Sequence, residues 1–395
     1  MISTVRKLHT ALQFFAKSVL DIVAMSSVRT TRTNTVLIVQ TEAIGDFVLW
    51  QSFAKQLVDF YRPRRVVLAT NAIVSDLASA TGYFDEVIGI DVRAMKYGWH
   101  KRAQLLRRIR RLGPSIAIQP TYSRSFWVGD SLIRASNART RIGSQGDHHN
   151  IRPWQKRVSD HWYTELLPAT RKPLHESQRH AEFLERLTGV AASTRIQPFP
   201  ETTETCNHDI PPEPYMVFVP GAGTGKRMWP VERFAETARR LHQETGLRLV
   251  ICGSKSETEL AETLGTSSRV PSPIILAGRT SVPDLVDIIH RASLVIANDS
   301  SAIHIAAATE TPSVCVLGGG HFGRFLPYPS GSTNVEPETA YATMECFGCN
   351  WQCTQPYNGV GPFPCIDAIS VDGVMDKAMR RLDETRTEVC NQALK

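Results

Sequence analysis

No stretch of the 395-residue sequence is apolar over anything close to the roughly 20 residues that a bilayer-crossing helix needs, so no transmembrane span is expected. Two common phosphate-binding signatures are missing as well. Gly225-Lys226 is followed by Arg227 rather than by the Ser or Thr of a Walker A loop, and no GxGxxG follows the first β-rich run. Aromatic residues make up 8% and form no base-stacking module, which removes nucleic acid from the expected partners. Negative charge is also in short supply: 45 Lys and Arg face 38 Asp and Glu, a formal net charge of +7. The excess is concentrated in 93–111 and 134–157, among them Arg107, Arg108, Arg110, Arg111, Arg134 and Arg141. Most of these side chains suit solvated helix faces. As a field they favour an anionic membrane or an anionic substrate.

Apolar residues at 42% and charged residues at 21% are ordinary for a globular protein, and the length suits two domains. Arg6 and Lys7 ahead of Leu8, Ala11, Leu12, Phe14 and Phe15 imitate a secretion signal, but Lys17 and Asp21 interrupt the apolar run too early. Residues 1–33 read better as an amphipathic or flexible segment, with Leu8, Leu12, Phe15, Val19 and Ile22 on one helical stripe. That stripe either packs on the protein itself or rests on a membrane surface.

From residue 34 short β-rich runs alternate with helical patterns. Val36–Gln40, Arg65–Thr70, Val87–Ile90 and Ser115–Gln119 are expected strands, with helices around Leu49–Phe60, Val74–Ala80 and Gln104–Leu112. Such alternation predicts parallel βαβ units. It fades at 191–214, a Pro-, Thr- and Glu-rich stretch whose end, 206–214, is the expected linker. Strands then resume at Tyr215–Val219, Leu247–Cys252, Ile274–Ala277, Leu294–Ala297 and Val314–Leu317. The expected organisation is an α/β protein with two Rossmann-like domains, 34–205 and 215–369, followed by a helix within 370–395.

Three places carry candidate chemistry. Ile44-Gly45-Asp46 sets a carboxylate where the first strand passes into a helix, the end of an open sheet at which ligands bind. Pro220-Gly-Ala-Gly-Thr-Gly-Lys-Arg-Met-Trp-Pro230 joins a strand to a helix. Gly221 and Gly223 permit close backbone approach there, and Lys226 or Arg227 can neutralise a phosphate, although a plain flexible loop fits this feature equally well. Asn298-Asp299-Ser300-Ser301 opens a helix whose amino end suits a diphosphate. Taken singly, Asp299 reads as a helix cap and His304 as a core histidine.

In combination these motifs, with Trp229-Pro230, Phe234, Leu276-Ala-Gly-Arg279-Thr280-Ser281 and His304 ahead of Ala306–Ala308, resemble glycosyltransferase family 9, the bacterial lipopolysaccharide heptosyltransferases. The resemblance runs over nearly all of the chain after residue 34. It implies a GT-B fold, with parallel sheets facing a central cleft, the carboxyl domain binding a nucleotide sugar and the amino domain its acceptor. It further implies Asp46 as general base in an inverting transfer of heptose from ADP-heptose to a lipopolysaccharide core or related anionic glycolipid. Gly221, Gly223, Lys226, Arg227, Arg279, Thr280, Asp299, Ser300, Ser301 and His304 would hold the donor, with no cofactor required for catalysis. A cytoplasmic protein, peripheral at the inner face of the inner membrane, is expected.

The chain departs from the family pattern twice. Arg227 stands where Lys is usual two places before the Trp, and Ser301 replaces a Gly. These departures keep open a same-fold transferase with another donor or acceptor, alongside a non-catalytic nucleotide-sugar or glycolipid binder. A carboxylate at a helix start is also stabilised in its charged form, which weakens it as a base.

Cys346, Cys349, Cys353 and Cys365 fall in a loop-rich segment at spacings compatible with a structural zinc site. Reduced structural thiols are the favoured alternative in a cytosolic chain, and disulfides the less favoured.

Overall fold

A computed structural model describes residues 14, 16–199 and 214–393, with side chains as far as 384. Leu8, Leu12, Phe15, Cys206 and the expected linker up to 213 lie outside the described residues, as does the side chain of Cys390. By packing, the chain forms two units. The first takes the chain up to Ala43, Phe53–Arg171 and Arg179–Ser193; the second takes Ile44–Ser52, Lys172–Gln178 and the chain from Thr194. Two short stretches of the amino-terminal half, including Asp46, thus belong with the second unit.

The amino-terminal half begins with helix α1 (16–26), followed by β1 (Thr33–Gln40), α2 (Ile44–Tyr61), β2 (Arg65–Asn71), α3 (Ser75–Ala80) and β3 (Glu86–Ile90). It continues through α4 (Val92–Tyr97), α5 (Trp99–Leu112), β4 (Pro114–Gln119), α6 (Ser131–Ser136), β5 (Thr140–Ser144), α7 (Pro153–Asp160), β6 (Glu165–Leu167) and α8 (Glu176–Thr188). All pairings are parallel in the order β3-β2-β1-β4-β5-β6. Helical crossovers cover such a sheet on both faces, so Val36, Leu37, Ile38 and Val39 are all buried.

The second unit repeats the plan with β7 (Tyr215–Val219), α9 (Val231–Thr245), β8 (Arg248–Ile251), α10 (Thr258–Ser268), β9 (Ile274–Ile275) and α11 (Val282–His290). Then come β10 (Leu294–Asn298), α12 (Ser301–Ala308), β11 (Ser313–Val316), β12 (Glu338–Ala340), α13 (Pro364–Asp367) and α14 (Val371–Ala393). Its order is β12-β11-β10-β7-β8-β9, again parallel throughout. Phe218, Trp229 and Phe234 form the aromatic centre of its core, the Trp229 and Phe234 rings meeting edge-on at 5.1 Å. The Trp and Phe of the glycine-rich motif are therefore packing residues. Both units have the Rossmann-like sheets of the GT-B fold, with the strand order reversing beside β1 in one and beside β7 in the other. None of the described helices is long and apolar enough to cross a membrane.

Helix α1 is fastened by a charge. Asp21 is buried and accepts two hydrogen bonds from Arg102, at 2.7 and 2.6 Å, while Arg102 also donates to the Met95 and Trp127 carbonyls and to Ser131 Oγ. Val19 and Ile22, members of the expected apolar stripe, stay exposed at 40% and 46%. Asp21→Ala leaves a guanidinium 2% exposed without its counter-charge. A loss of about 3–5 kcal/mol is expected, read from the urea midpoint; a midpoint unchanged from wild type would refute that role.

Candidate functional site

The second unit's chemistry gathers at the carboxyl ends of β7 and β10, the neighbouring strands where its order reverses and where open α/β sheets bind ligands. Asn298 ends β10 fully buried. Its Nδ2 donates to the Pro220 carbonyl at 2.6 Å, and its Oδ1 accepts from Trp229 N at 3.0 Å. One amide thereby closes the glycine-rich loop at both ends. Arg227, near the end of that loop, donates from Nη2 to Asp299 Oδ2 at 3.1 Å, and its guanidinium lies over the Trp351 ring at 4.3 Å. Burial pushes the Asp299 carboxyl up, against the pull of Arg227 and His321.

Asp299 is therefore an ion-pair partner, and Ser300 occupies the helix cap, with no side-chain capping bond. Ser300 Oγ and Arg227 Nε are both buried without a hydrogen-bond partner. Buried polar atoms are normally satisfied, so two orphans on one side chain and its neighbouring helix start mark a place for a ligand acceptor. Lys226 diverges from Arg227: its ammonium sits 5.4 and 5.9 Å from the Tyr357 and Phe363 ring centres. Of the two adjacent cations, Arg227 is the one at the amino end of α12.

The glycines have distinct reasons. A Cβ on Gly221 would fall 1.9 Å from Glu257 Oε1, so that glycine makes room for a neighbouring carboxylate; one on Gly223 would be 3.4 Å from Arg227 Nη1. At Gly45 an added Cβ would meet His304 Cδ2 at 2.8 Å and the Ser301 backbone at 3.6 Å. Asp46, in the first turn of α2, is thus carried on a helix start pressed against α12 within the same unit. His304 is buried, with Nδ1 2.6 Å from the Tyr328 hydroxyl and the two rings stacked. Nearby, His175 Nε2 donates to the Phe325 carbonyl at 2.8 Å.

Arg279 and Thr280 are not brought to this cluster. They follow β9, the edge strand three places from β10, about 14 Å away at ordinary strand spacing. Arg279 reaches back to the Ile275 carbonyl and Ser281 caps α11. The sequence reading passed over Gly318-Gly319-Gly320, His321 and Trp351. Each of these glycines lies where a Cβ would strike the Phe347 or Trp351 ring, so the Cys-rich loop packs directly on the backbone after β11. The triple glycine after a strand was the available signal.

Cys346, Cys349, Cys353 and Cys365 line one small cavity with Trp351 and Phe363, and all four are free thiols. As placed, no three of the described His, Cys, Asp or Glu side chains are grouped to hold a metal ion. The zinc reading thus rests on the spacing in the sequence and on the four thiols sharing one cavity.

The glycosyltransferase family 9 (heptosyltransferase) model matches residues 134–350, more than half of the chain. The chain belongs to glycosyltransferase family 9. It is 25% identical over 198 residues to lipopolysaccharide heptosyltransferase 3 of Escherichia coli, an alignment covering 49% of this chain and 56% of that protein. The chain thus spans about half the length of the curated relative it matches. The solved E. coli ADP-heptose lipopolysaccharide heptosyltransferase II has the same fold, with TM-score 0.63, 18% identity and coverage of 89% of this chain and 99% of that one. E. coli heptosyltransferase WaaC, solved with ADP-2-deoxy-2-fluoro heptose, gives TM-score 0.59 at 16% identity, covering 80% and 97%.

Burial, and secondarily His175, lower the His304 pKa to about 3 from an ordinary 6.5. Between those values the unfolded chain binds a proton that the folded one refuses, so stability rises with pH across the window and is lost as pH falls through it. In a His304→Gln protein the melting temperature should fall less steeply from pH 6.5 towards pH 3 than in wild type. Equal slopes would show that His304 is not part of the acid sensitivity.

Proposed function

We propose that the protein is an inverting glycosyltransferase that moves a heptose from ADP-heptose to an anionic lipopolysaccharide-type acceptor, working at the inner face of the membrane. The observation that carries this reading is the Arg227–Asp299 pair at the start of α12, with Arg227 Nε and Ser300 Oγ both lacking a partner. A diphosphate supplies the acceptor oxygens those two atoms lack, and a helix amino end favours its charge. Family membership and the sugar nucleotide held by WaaC favour ADP-heptose over other donors.

In the proposed step the acceptor hydroxyl oxygen bonds to the anomeric carbon from the face opposite the leaving group, which inverts the configuration. The bond from that carbon to the β-phosphate oxygen breaks, and its electron pair leaves with ADP. The hydroxyl proton passes to the Asp46 carboxylate late, once the new bond has weakened the O–H, so a strong base is not needed. Arg227 and the α12 backbone N–H groups stabilise the charge that grows on the diphosphate. Asp299 keeps the guanidinium aimed, and the positive excess of the amino-terminal half draws the acceptor.

ADP release from ADP-heptose and a truncated lipid acceptor tests the reading directly. Asp46→Asn should slow turnover by about 10²–10⁴ while ADP still raises the melting temperature. Arg227→Met should weaken ADP binding by about 1.5–3 kcal/mol, and Lys226→Met should change it much less. No ADP release by wild type, or equal release by the Asp46 variant, would defeat the proposal. Stabilisation by UDP- or GDP-sugars in place of ADP-heptose would defeat the donor assignment.

A further inference from the structure

The first unit has a second concentration of unmatched charge, at the rim where its strands begin. Arg110 lies in the last turn of α5 ahead of β4, Arg134 and Asn137 close α6 ahead of β5, and Arg141 is the second residue of β5. With His161 and Trp162 they line a cavity of about 300 Å³, and no carboxylate lines it. In a parallel sheet this rim is the opposite one from that at which β1 runs on to Asp46.

Arginines at helix carboxyl ends often serve only to satisfy the last carbonyls. Arg141 does so, donating from Nη1 to the Ala138 carbonyl and from Nε to the Trp162 carbonyl, both at 2.5 Å. Arg110 and Arg134 differ. Among the described residues neither has a carboxylate within ion-pair distance, and Arg110 Nε is buried with no hydrogen-bond partner. The Arg134 guanidinium lies over the Trp162 ring at 4.8 Å. The nearby acid, Asp21, is already held in the fork of Arg102. Burial, then Arg134, lowers the pKa of Arg110; burial lowers that of Arg134, with Asp21 opposing and Arg102 assisting. Guanidinium groups crowded like this around an open cavity are favourable once an anion enters to accept their donors.

We propose that this cavity is a binding site for a phosphate group, distinct from the donor site, with Arg110, Arg134 and Arg141 as its cationic wall. A phosphate offers each guanidinium an oxygen, and the volume leaves room for what the phosphate is attached to. Two sources fit that chemistry, a phospholipid headgroup and a free phosphate. The other wall supplies a reason to test lipid: Ile22 lines the cavity, and Val19, Leu20 and Val23 of the same helix are also exposed.

The experiment uses the full-length chain with two probes, inorganic phosphate by titration calorimetry and co-sedimentation with phosphatidylcholine vesicles containing or lacking phosphatidylglycerol. The comparison variants are Arg110→Gln/Arg134→Gln, Arg110→Lys/Arg134→Lys and Arg227→Met, each matched to wild type by circular dichroism and melting temperature. A loss of roughly tenfold or more in the Gln pair, recovery in the Lys pair and retention in Arg227→Met would establish the site. Loss in the phosphate arm alone identifies a soluble phosphate; loss of phosphatidylglycerol-dependent sedimentation alone identifies a headgroup. The proposal is overturned if wild type binds neither probe, if the Gln pair binds as wild type does, or if Arg227→Met alone abolishes binding. These outcomes do not depend on whether the protein transfers heptose.

Discussion

The candidate site at the ends of β7 and β10 depends on one side-chain amide. Asn298 ends a wholly buried strand, and no water reaches it to replace a lost partner. Its two hydrogen bonds fix the beginning and the end of the loop, whose middle is tied by the Phe363 N–H donating to the Lys226 carbonyl at 2.8 Å. Arg227 rides on that loop. Its approach to Asp299 follows from Asn298 having placed Trp229 two residues further on, with Trp229 itself locked into the core and donating from Nε1 to the Ile369 carbonyl. Burying an amide is tolerable only when both of its ends are used. Here they are, so the polar tie is rigid.

The same economy explains the Asp46 side. A helix start can sit close to α12 only if the residue facing the imidazole has no Cβ, and Gly45 has none. The imidazole in turn can be that close and that buried only if it stays neutral, as its lowered pKa requires. Gly45 and His304 are thus a packing pair that sets where Asp46 stands, and the ring's Nδ1 is occupied by Tyr328.

Much of this was legible in the sequence because it rests on local rules. Apolar runs flanked by helical periodicity marked nine of the strands, and the strand-to-helix turns at Asp46 and Asp299 stood out by residue type. The runs Thr140–Ser144, Glu165–Leu167 and Glu338–Ala340 escaped notice because they are short, mixed in polarity and carried at or near sheet edges, where only part of a strand is buried. What no local rule supplies is direction. Lys226 and Arg227 are adjacent and similar in the sequence, yet one turns to aromatic rings and the other to a carboxylate. Likewise His304 and Trp351 acquire their meaning only from residues distant in the chain.

Arginine is the common element of both proposed sites, and the physics is the same in each. A guanidinium stays charged at any accessible pH, so burying one with donors unused costs stability that a lysine would avoid by giving up its proton. The fold carries that cost at Arg227 Nε and at Arg110 Nε, both buried without a hydrogen-bond partner. A bound oxyanion removes it, and because the unfolded chain has no such clustered donors, the gain appears as ligand-dependent stability. At rims of two different sheets the structure thus leaves the same kind of guanidinium donor unused, and both proposed ligands are oxyanions that would accept from it.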